Sequence, residues 1–227
     1  GFVADHIEVL YDLDIESGAR EQKKANIYKG RITRVEPSLE AAFVDFGSER
    51  HGFLPLKEIS REYFSKQVEG RVNIKDVLKE GQEVIVQVDK EERGNKGAAL
   101  TTYLSLAGRY SVLMPNTPRG GGISRKISTG TDRRRLKTIL GGLGIPKGMA
   151  VIVRTAGQKR TKAEIKRDYE YLMRVWSSVR DVTLESMAPC LVHEEGNLIK
   201  RSIRDLYDKD INEIIIEGEA GYRLAKD

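Results

Sequence analysis

Three of the five phenylalanines in the chain lie in one short segment, EAAFVDFGSERHGFL, which covers residues 40–54. In a β-strand alternate side chains point to opposite faces, so Phe43 would share a face with the Asp45 carboxylate. By the same alternation Phe53 would share a face with His51. Rings on such a polar face can stack on nucleobases, at about 1–3 kcal/mol per base. The pattern therefore favours exposed stacking rings over the alternative of two core residues in a small barrel.

The distribution of charge suggests a second kind of chemistry. Residues 103–160 contain twelve lysines and arginines and one acidic residue, Asp132, although the whole chain has a net charge of only +5. A segment with this imbalance repels itself unless it meets a polyanion. Nucleic acid is the favoured polyanion, and the alternatives are a solvated basic face or a surface that docks an acidic protein.

Composition argues against several other kinds of site. The single cysteine, Cys190, excludes an internal disulfide and a cysteine-rich zinc site, and the histidines at positions 6, 51 and 193 lack metal-ligand spacing. We therefore expect no metal ligands in the chain. No run of about 18 uncharged apolar residues is present, and the first residues lack the features of a signal peptide. These features favour a cytoplasmic protein with no membrane segment.

Five short segments rich in β-branched and aromatic residues predict the strands that would carry the phenylalanines. They cover residues 26–36, 39–47, 50–56, 83–92 and 97–106, and glycines punctuate them. This spacing predicts a small closed OB-type barrel, with helical turns and a loop between residues 57 and 83. Lys96, in the loop ERGNKG, could reach a phosphate beside such a barrel.

The second half of the chain has a different pattern, with helices and strands mixed. The spacing predicts a short basic helix that ends near Gly141, a buried strand at 149–157, and a long helix from Thr161 to about Val182. An apolar stripe along the long helix, which includes Trp176, predicts scaffold rather than a site. A further strand is predicted at 190–195.

These segments resemble the ribonuclease E/G family of bacterial endoribonucleases. The stretch YKGRITRVEPSLEAAFVDFGSERHGFLPL, at residues 28–56, is similar to that family's S-one-type RNA-binding domain. The stretches PRGGGISRKI and GMAVIVRTAG are similar to segments that follow this domain in the family, and the resemblance covers most of residues 9–227. One departure is Pro55, which stands where many S-one-type domains carry an RNA-facing histidine.

The resemblance implies an α+β multidomain architecture. Residues 22–102 would form the S-one-type OB-fold barrel, and residues 103–199 would form a small α+β domain called the 5′-sensor. Both would be inserted into a truncated RNase-H-like α/β domain. The first part of that domain would be residues 1–21, and the second part would be residues 200–227.

The resemblance also implies roles for individual residues. Phe43, Phe53 and Lys96 would guide single-stranded RNA. Arg154 and Thr155 would bind a 5′-monophosphate, because an arginine fork and a hydroxyl can surround the phosphate oxygens. The remaining assigned positions are Gly108 and Val112, against the terminal nucleotide, and Arg125 and Lys126, as contacts to the RNA backbone.

Catalysis in the family would require parts that correspond to sequence beyond residue 227. In those parts of the family's proteins, two aspartates hold a magnesium ion that is used for RNA cleavage, and a zinc site links the subunits. We therefore expect no catalytic residue and no cofactor in this chain, which should be inactive by itself. The resemblance implies that the complete protein is a ribonuclease-E-type endoribonuclease of RNA processing and mRNA decay, which acts on RNA rather than DNA. It also implies that this protein is a homo-tetramer and a degradosome scaffold. The alternative is a stand-alone OB-fold RNA-binding module of translation or ribosome assembly.

Overall fold

The computed structural model describes residues 24–117 and 120–196 of the chain. The predicted RNase-H-like parts, residues 1–21 and 200–227, lie outside these described residues. Within the described part, a barrel of strands is followed by a smaller sheet that packs with two longer helices. The two predicted RNA-contacting regions belong to these two sheets, one to each.

Five strands form a closed barrel: β1 (Ile27–Glu36), β2 (Ala41–Asp45), β3 (Gly52–Pro55), β4 (Glu83–Lys90) and β5 (Ala99–Thr101). Their order is β1-β2-β3-β5-β4, and β4 pairs again with β1. The long β1 makes closure possible because its first half pairs with β4 and its second half with β2. A parallel pair, Phe53 with Ala99, joins β3 to β5. The predicted OB-type barrel is confirmed.

The barrel core is built from alternate residues of these strands. Fully buried side chains from all five strands fill it, among them Ile32, Val44, Leu54, Val86 and Leu100. Arg31 is the residue of β1 that pairs with both β2 and β4, and Gly30 precedes it. A Cβ atom at Gly30 would lie 2.6 Å from Val44 Cγ1, so only glycine allows this close approach of strand and core.

The connection from β3 to β4 consists of short helical turns, as the sequence predicted. Two 3-10 turns cover Leu56–Glu58 and Arg61–Tyr63, and helix α1 covers Ile74–Val77. Another 3-10 turn, Pro37–Leu39, joins β1 to β2. Ile74 and Val77 are buried in the barrel core, so α1 closes one side of it.

A smaller sheet follows the barrel. Its strands are β6 (Leu106–Ala107), β7 (Ser111–Met114), β8 (Gly122–Ile123) and β9 (Ala150–Val153), in the order β6-β7-β9-β8. Strand β8 pairs with β9 in parallel, so the described part of PRGGGISRKI contains a strand. A Cβ atom at Gly121 would overlap the backbone of Val151, which explains a glycine at this position.

Two helices pack on the smaller sheet: α2 (Gly130–Gly141) and α3 (Lys162–Glu185). Thr161 caps α3 because its hydroxyl accepts a hydrogen bond from Glu164 N at 3.2 Å. The predicted long helix is therefore confirmed, and it continues to Glu185. Trp176 is half-buried against the core, and its ring also faces the Arg180 guanidinium at 5.7 Å. The buried stripe is Ile165, Tyr169, Leu172 and Val179.

The chain then returns to the barrel. Strand β10 (Cys190–His193) pairs antiparallel with the start of β1. Lys29 of β1 also contacts the end of α3, where its Nζ donates to Thr183 O at 3.0 Å and to Ser186 O at 2.8 Å. One hydrophobic cluster contains Ile27 and Val192 together with residues of the smaller sheet and α3. The barrel and the smaller sheet are therefore joined by a shared core.

Candidate nucleic-acid interface

A row of side chains crosses the partly exposed surface of the barrel from strand to strand. Arg34 of β1 pairs with Phe43 of β2, and Phe43 pairs with Phe53 of β3. The two rings pack edge to face, with centroids 5.9 Å apart and planes at 65°. Arg34 Cζ lies 4.5 Å from the Phe43 centroid, within cation–π distance. The row therefore presents two aromatic rings and one guanidinium.

The exposure of the rings follows the alternation predicted from the sequence. Phe43 and Phe53 are half-buried, whereas the next residues, Val44 and Leu54, are fully buried. Phe46 is 2% exposed and belongs to the core. Strand alternation thus separates the two kinds of phenylalanine, as expected. The contact of Phe43 and Phe53 with RNA stays a prediction.

Lys96 is exposed in a tight loop between β4 and β5. Arg93 and Lys96 exchange two backbone hydrogen bonds, at 3.2 and 2.9 Å, which close this loop. Phe53 N donates to Ala98 O at 2.8 Å and holds the end of the loop beside β3. The predicted residues of the barrel thus lie on neighbouring segments. Sequence analysis missed Arg34, which joins the row only through the pairing of β1 with β2.

A cavity of about 610 Å³ opens beside Phe53. Two cations, Lys57 and Arg61, contribute to its lining, and Arg61 also faces the Phe64 ring at 6.0 Å. Most of the remaining lining is apolar and includes Leu39, Pro55, Leu56, Ile59 and Tyr103. Phe53 therefore belongs both to the aromatic row and to the wall of an adjoining apolar cavity.

The second group of predicted residues gathers around the Arg154 guanidinium. Arg154 directly follows β9, and its Nη1 donates to Gly108 O at 2.6 Å and to Arg109 O at 3.4 Å. Its backbone N donates to Tyr110 O at 2.8 Å. The side chain is half-buried, so these hydrogen bonds fix the direction of the guanidinium.

The turn at residues 108–111 is itself held by α3 through Asp168. The sequence-based predictions did not include this residue. Its position is nevertheless a signal, because a carboxylate here lies beside the buried residues Ile165 and Tyr169 of α3. A half-buried carboxylate requires hydrogen-bond partners. The Asp168 oxygens accept four hydrogen bonds of 2.7–3.0 Å, from the backbone N atoms of Arg109, Tyr110 and Ser111 and from Ser111 Oγ.

Gly108 and Val112 occupy different positions beside this turn. Gly108 is buried, and a Cβ atom there would lie 2.5 Å from both Asp168 oxygens. The structure thus gives a packing reason for glycine. Val112 is half-exposed on β7, where it pairs with Ala107 and Ile152. Their contacts with a terminal nucleotide stay predictions.

Thr155 is exposed next to Arg154, and its Oγ1 lies 3.4 Å from Ser124 Oγ. Ser124 begins a turn that Ile127 N closes by donating to Ser124 O at 3.1 Å. The two middle residues of this turn, Arg125 and Lys126, are exposed. The predicted phosphate-binding pair and the predicted backbone contacts therefore lie at one edge of the smaller sheet, with the Ser124 hydroxyl as an addition that sequence analysis missed.

Several charges of the basic segment have internal partners. Arg135 donates to Gln158 O at 2.6 Å and to Arg160 O at 2.8 Å. Asp132 accepts from Gln158 Nε2 and from Lys159 Nζ, both at 3.0 Å. The Gln158 amide and then the Lys159 ammonium hold the pKa of the Asp132 carboxyl below its usual value. The one acid of the basic segment is therefore paired with two residues of the same segment.

Within residues 24–117 and 120–196, no group of three or more His, Cys, Asp or Glu side chains could hold a metal ion. None of the helices described is long and apolar enough to cross a membrane.

Comparison with protein families gives two adjoining matches. Residues 21–102 match the S1 RNA binding domain, and residues 105–227 match the Ribonuclease E/G family. The first match contains all five strands of the barrel and the Phe43–Phe53 pair. The second match begins with β6 and contains Arg154, Thr155 and the 108–111 turn.

Curated relatives resemble nearly the whole chain. It is 59% identical to Ribonuclease E of Escherichia coli (strain K12) over 219 residues, which are 96% of this chain and 20% of the relative. It is 58% identical to Ribonuclease E of Haemophilus influenzae over 220 residues, 96% of this chain and 23% of the relative. Identity to Ribonuclease G of Escherichia coli (strain K12) is 33%, over 94% of this chain and 44% of the relative. The chain spans about a fifth of the length of the first two relatives.

Proposed function

Because the Ribonuclease E/G family matches more than half of it, this chain belongs to that family, and we propose that it is the RNA-recognising part of an endoribonuclease. In this proposal the barrel captures single-stranded RNA. The edge of the smaller sheet around Arg154 selects RNA that carries a 5′-monophosphate.

The row of Arg34, Phe43 and Phe53 is the observation that carries RNA capture. Two half-buried rings with a guanidinium over one of them offer stacking surfaces beside a positive charge. Bases of any sequence can stack on such rings, and cations contact the phosphates between them. Lys96 extends the positive charge beyond β3, so the row suits an unpaired strand with accessible bases.

Selection of the 5′ end rests on the arrangement around Arg154. Carbonyl oxygens of the 108–111 turn fix the guanidinium, and the exposed Thr155 hydroxyl follows it in the chain. A planar guanidinium and a hydroxyl match the oxygens of a terminal phosphate. A 5′-hydroxyl would leave these donors without the phosphate, so the affinity for such an end would be lower.

We further propose that the complete protein hydrolyses RNA in a part that this chain does not contain. Mg²⁺ and Zn²⁺ would serve that part, together with assembly as a homo-tetramer and degradosome scaffold in the bacterial cytoplasm. The described residues of this chain contribute RNA binding and no catalytic group. A stand-alone RNA-binding module of translation is the competing function, and RNA cleavage by the complete protein distinguishes the two.

The test is a pair of binding titrations of the 227-residue chain with short single-stranded RNAs that differ only at the 5′ end. A charge-assisted hydrogen bond contributes about 1.5–3 kcal/mol, so we expect about tenfold tighter binding of 5′-monophosphate than of 5′-hydroxyl RNA. Arg154→Ala should remove this preference and leave the affinity for 5′-hydroxyl RNA nearly unchanged.

Arg174→Ala is the matched control because it removes one exposed arginine from α3. This variant should keep the preference for the 5′-monophosphate. If Arg154→Ala weakens both RNAs equally, Arg154 is a general backbone contact. That outcome would contradict selection of the 5′ end and leave RNA capture by the barrel standing.

A further inference from the structure

Among the described residues, the Asp168 carboxylate accepts its hydrogen bonds from one turn of the chain, residues 109–111. Its Oδ1 accepts from Arg109 N at 3.0 Å. Its Oδ2 accepts from Tyr110 N at 3.0 Å, from Ser111 N at 2.9 Å and from Ser111 Oγ at 2.7 Å. Three consecutive N–H groups that converge on one carboxylate give the 108–111 turn a single orientation relative to α3.

The same turn presents its carbonyl groups to Arg154. Because the N–H groups of residues 109–111 point to Asp168, the carbonyls of Gly108 and Arg109 are left to face the Arg154 guanidinium, at 2.6 and 3.4 Å from Nη1. Tyr110 O also accepts from Arg154 N at 2.8 Å. Asp168 is thus connected to Arg154 through one turn and two sets of hydrogen bonds.

The space beside Gly108 supports this chain of contacts. A Cβ atom on Gly108 would approach both carboxylate oxygens of Asp168 to 2.5 Å, so the turn fits against the carboxylate only without a side chain. Helix α3 meanwhile packs on the sheet through its apolar stripe, including Ile165 and Leu172. Helix α3 is therefore attached to the sheet by apolar contacts as well, and the hydrogen bonds of Asp168 go to the turn.

We infer that Asp168 is a positioning residue for the 5′-phosphate site, which acts by orienting the 108–111 turn whose carbonyls hold the Arg154 guanidinium. This inference rests on the proposed function, since it assigns Asp168 a role in the selection of 5′-monophosphate RNA. Asp168 itself does not touch the phosphate, because a carboxylate would repel it. Its effect is on the direction of Arg154.

The test uses the same two RNAs with the variant Asp168→Asn. An asparagine has one acceptor oxygen and an NH₂ group, which opposes the N–H groups of the turn. We expect most of the roughly tenfold preference for 5′-monophosphate RNA to be lost, with the Kd for 5′-hydroxyl RNA unchanged within about twofold. Ser111→Ala removes only the hydroxyl bond and should reduce the preference less.

Thr161→Ala is the control for stability, because it removes the cap of the same helix without touching the turn. It should lower the Tm and keep the full preference. A stable Asp168→Asn protein that keeps the preference would overturn the inference. If Asp168→Asn does not fold, Ser111→Ala decides, and an unchanged preference in that variant also overturns it. If the wild-type chain has no preference for 5′-monophosphate RNA, the proposed selection of the 5′ end is wrong, and the role of Asp168 fails with it. If the wild-type chain has the preference and a stable Asp168→Asn protein keeps it, only the role of Asp168 is wrong.

Discussion

At the scale of residues, two phenylalanines three positions apart have different environments. Phe46 is 2% exposed and packs edge to face on Tyr28, with centroids 5.0 Å apart. Phe43 is half-buried, and its ring contacts Phe53 and the Arg34 guanidinium. The same side-chain type therefore serves stability at one position, and the proposed binding of bases at the other.

Substitution of these two residues tests that division. Phe43→Ala should weaken binding of single-stranded RNA by about 1–3 kcal/mol, because one stacking surface is lost. Its Tm should remain close to that of the wild type. Phe46→Ala should instead destabilise the fold by about 3–5 kcal/mol, because it opens a cavity in the core. RNA titrations by fluorescence anisotropy and thermal unfolding measure the two effects, and a Phe43→Ala protein that unfolds like Phe46→Ala would make Phe43 a core residue.

At the scale of elements, Lys29 connects the barrel to the end of α3. Its Nζ donates to two carbonyls of the last turn, and its side chain is 16% exposed. Carbonyl groups at the end of a helix and the negative end of the helix dipole both favour a cation at this position. The ion pair with the more exposed Glu83, at 3.2 Å, adds little. Two carbonyl groups at the end of α3 therefore accept hydrogen bonds from a side chain of β1.

We expect Lys29→Met to lower the free energy of unfolding by about 1.5–3 kcal/mol, the range for hydrogen bonds to a charged group. Methionine keeps the length and the apolar stem but cannot donate to Thr183 O and Ser186 O. Lys75→Met, at an exposed position of α1, should change stability by no more than about 0.5 kcal/mol. Urea unfolding of the three proteins measures both values, and equal stabilities would show that the Lys29 contacts contribute nothing.

At the scale of the whole molecule, the excess of cations lies in the half that contains Arg154. Residues 103–160 carry twelve basic residues and one acidic residue, and that acid, Asp132, is bonded to Gln158 and Lys159. The exposed Arg125 and Lys126 stand at the edge of the sheet that also carries Thr155. The field of this half therefore favours a polyanion near the proposed 5′-phosphate site.

Binding of single-stranded RNA should consequently weaken as salt is added, because phosphate contacts release counterions. We expect log Kd to rise linearly with log salt concentration, by about 0.7 for each phosphate contact. Joint replacement of Arg125 and Lys126 by methionine should reduce the slope by about 1.4, whereas Lys75→Met should leave it unchanged. Displacement of the RNA by an equal concentration of polyglutamate would instead favour the hypothesis of a surface for acidic proteins.

Most of the local elements of this protein follow from short-range patterns in its sequence. Alternation placed Phe43 on the partly exposed face of its strand, and the helical period identified the buried stripe of α3, because both patterns repeat within a few residues. The order of short strands indicated the closed barrel. The basic segment and the motifs around Arg154 and Thr155 indicated a phosphate site, although they did not show what holds its side chains.

Which of these elements meet depends on contacts between distant parts of the chain. Arg34 lies over Phe43 because a bulge in β1 shifts the register of its pairing with β2. Asp168 reaches the 108–111 turn across 59 residues of sequence, because α3 packs against the smaller sheet. Strand β10 returns to β1 through a core that both units share. Such contacts depend on strand register and on the packing of distant apolar surfaces, and neither is a property of a short stretch of chain.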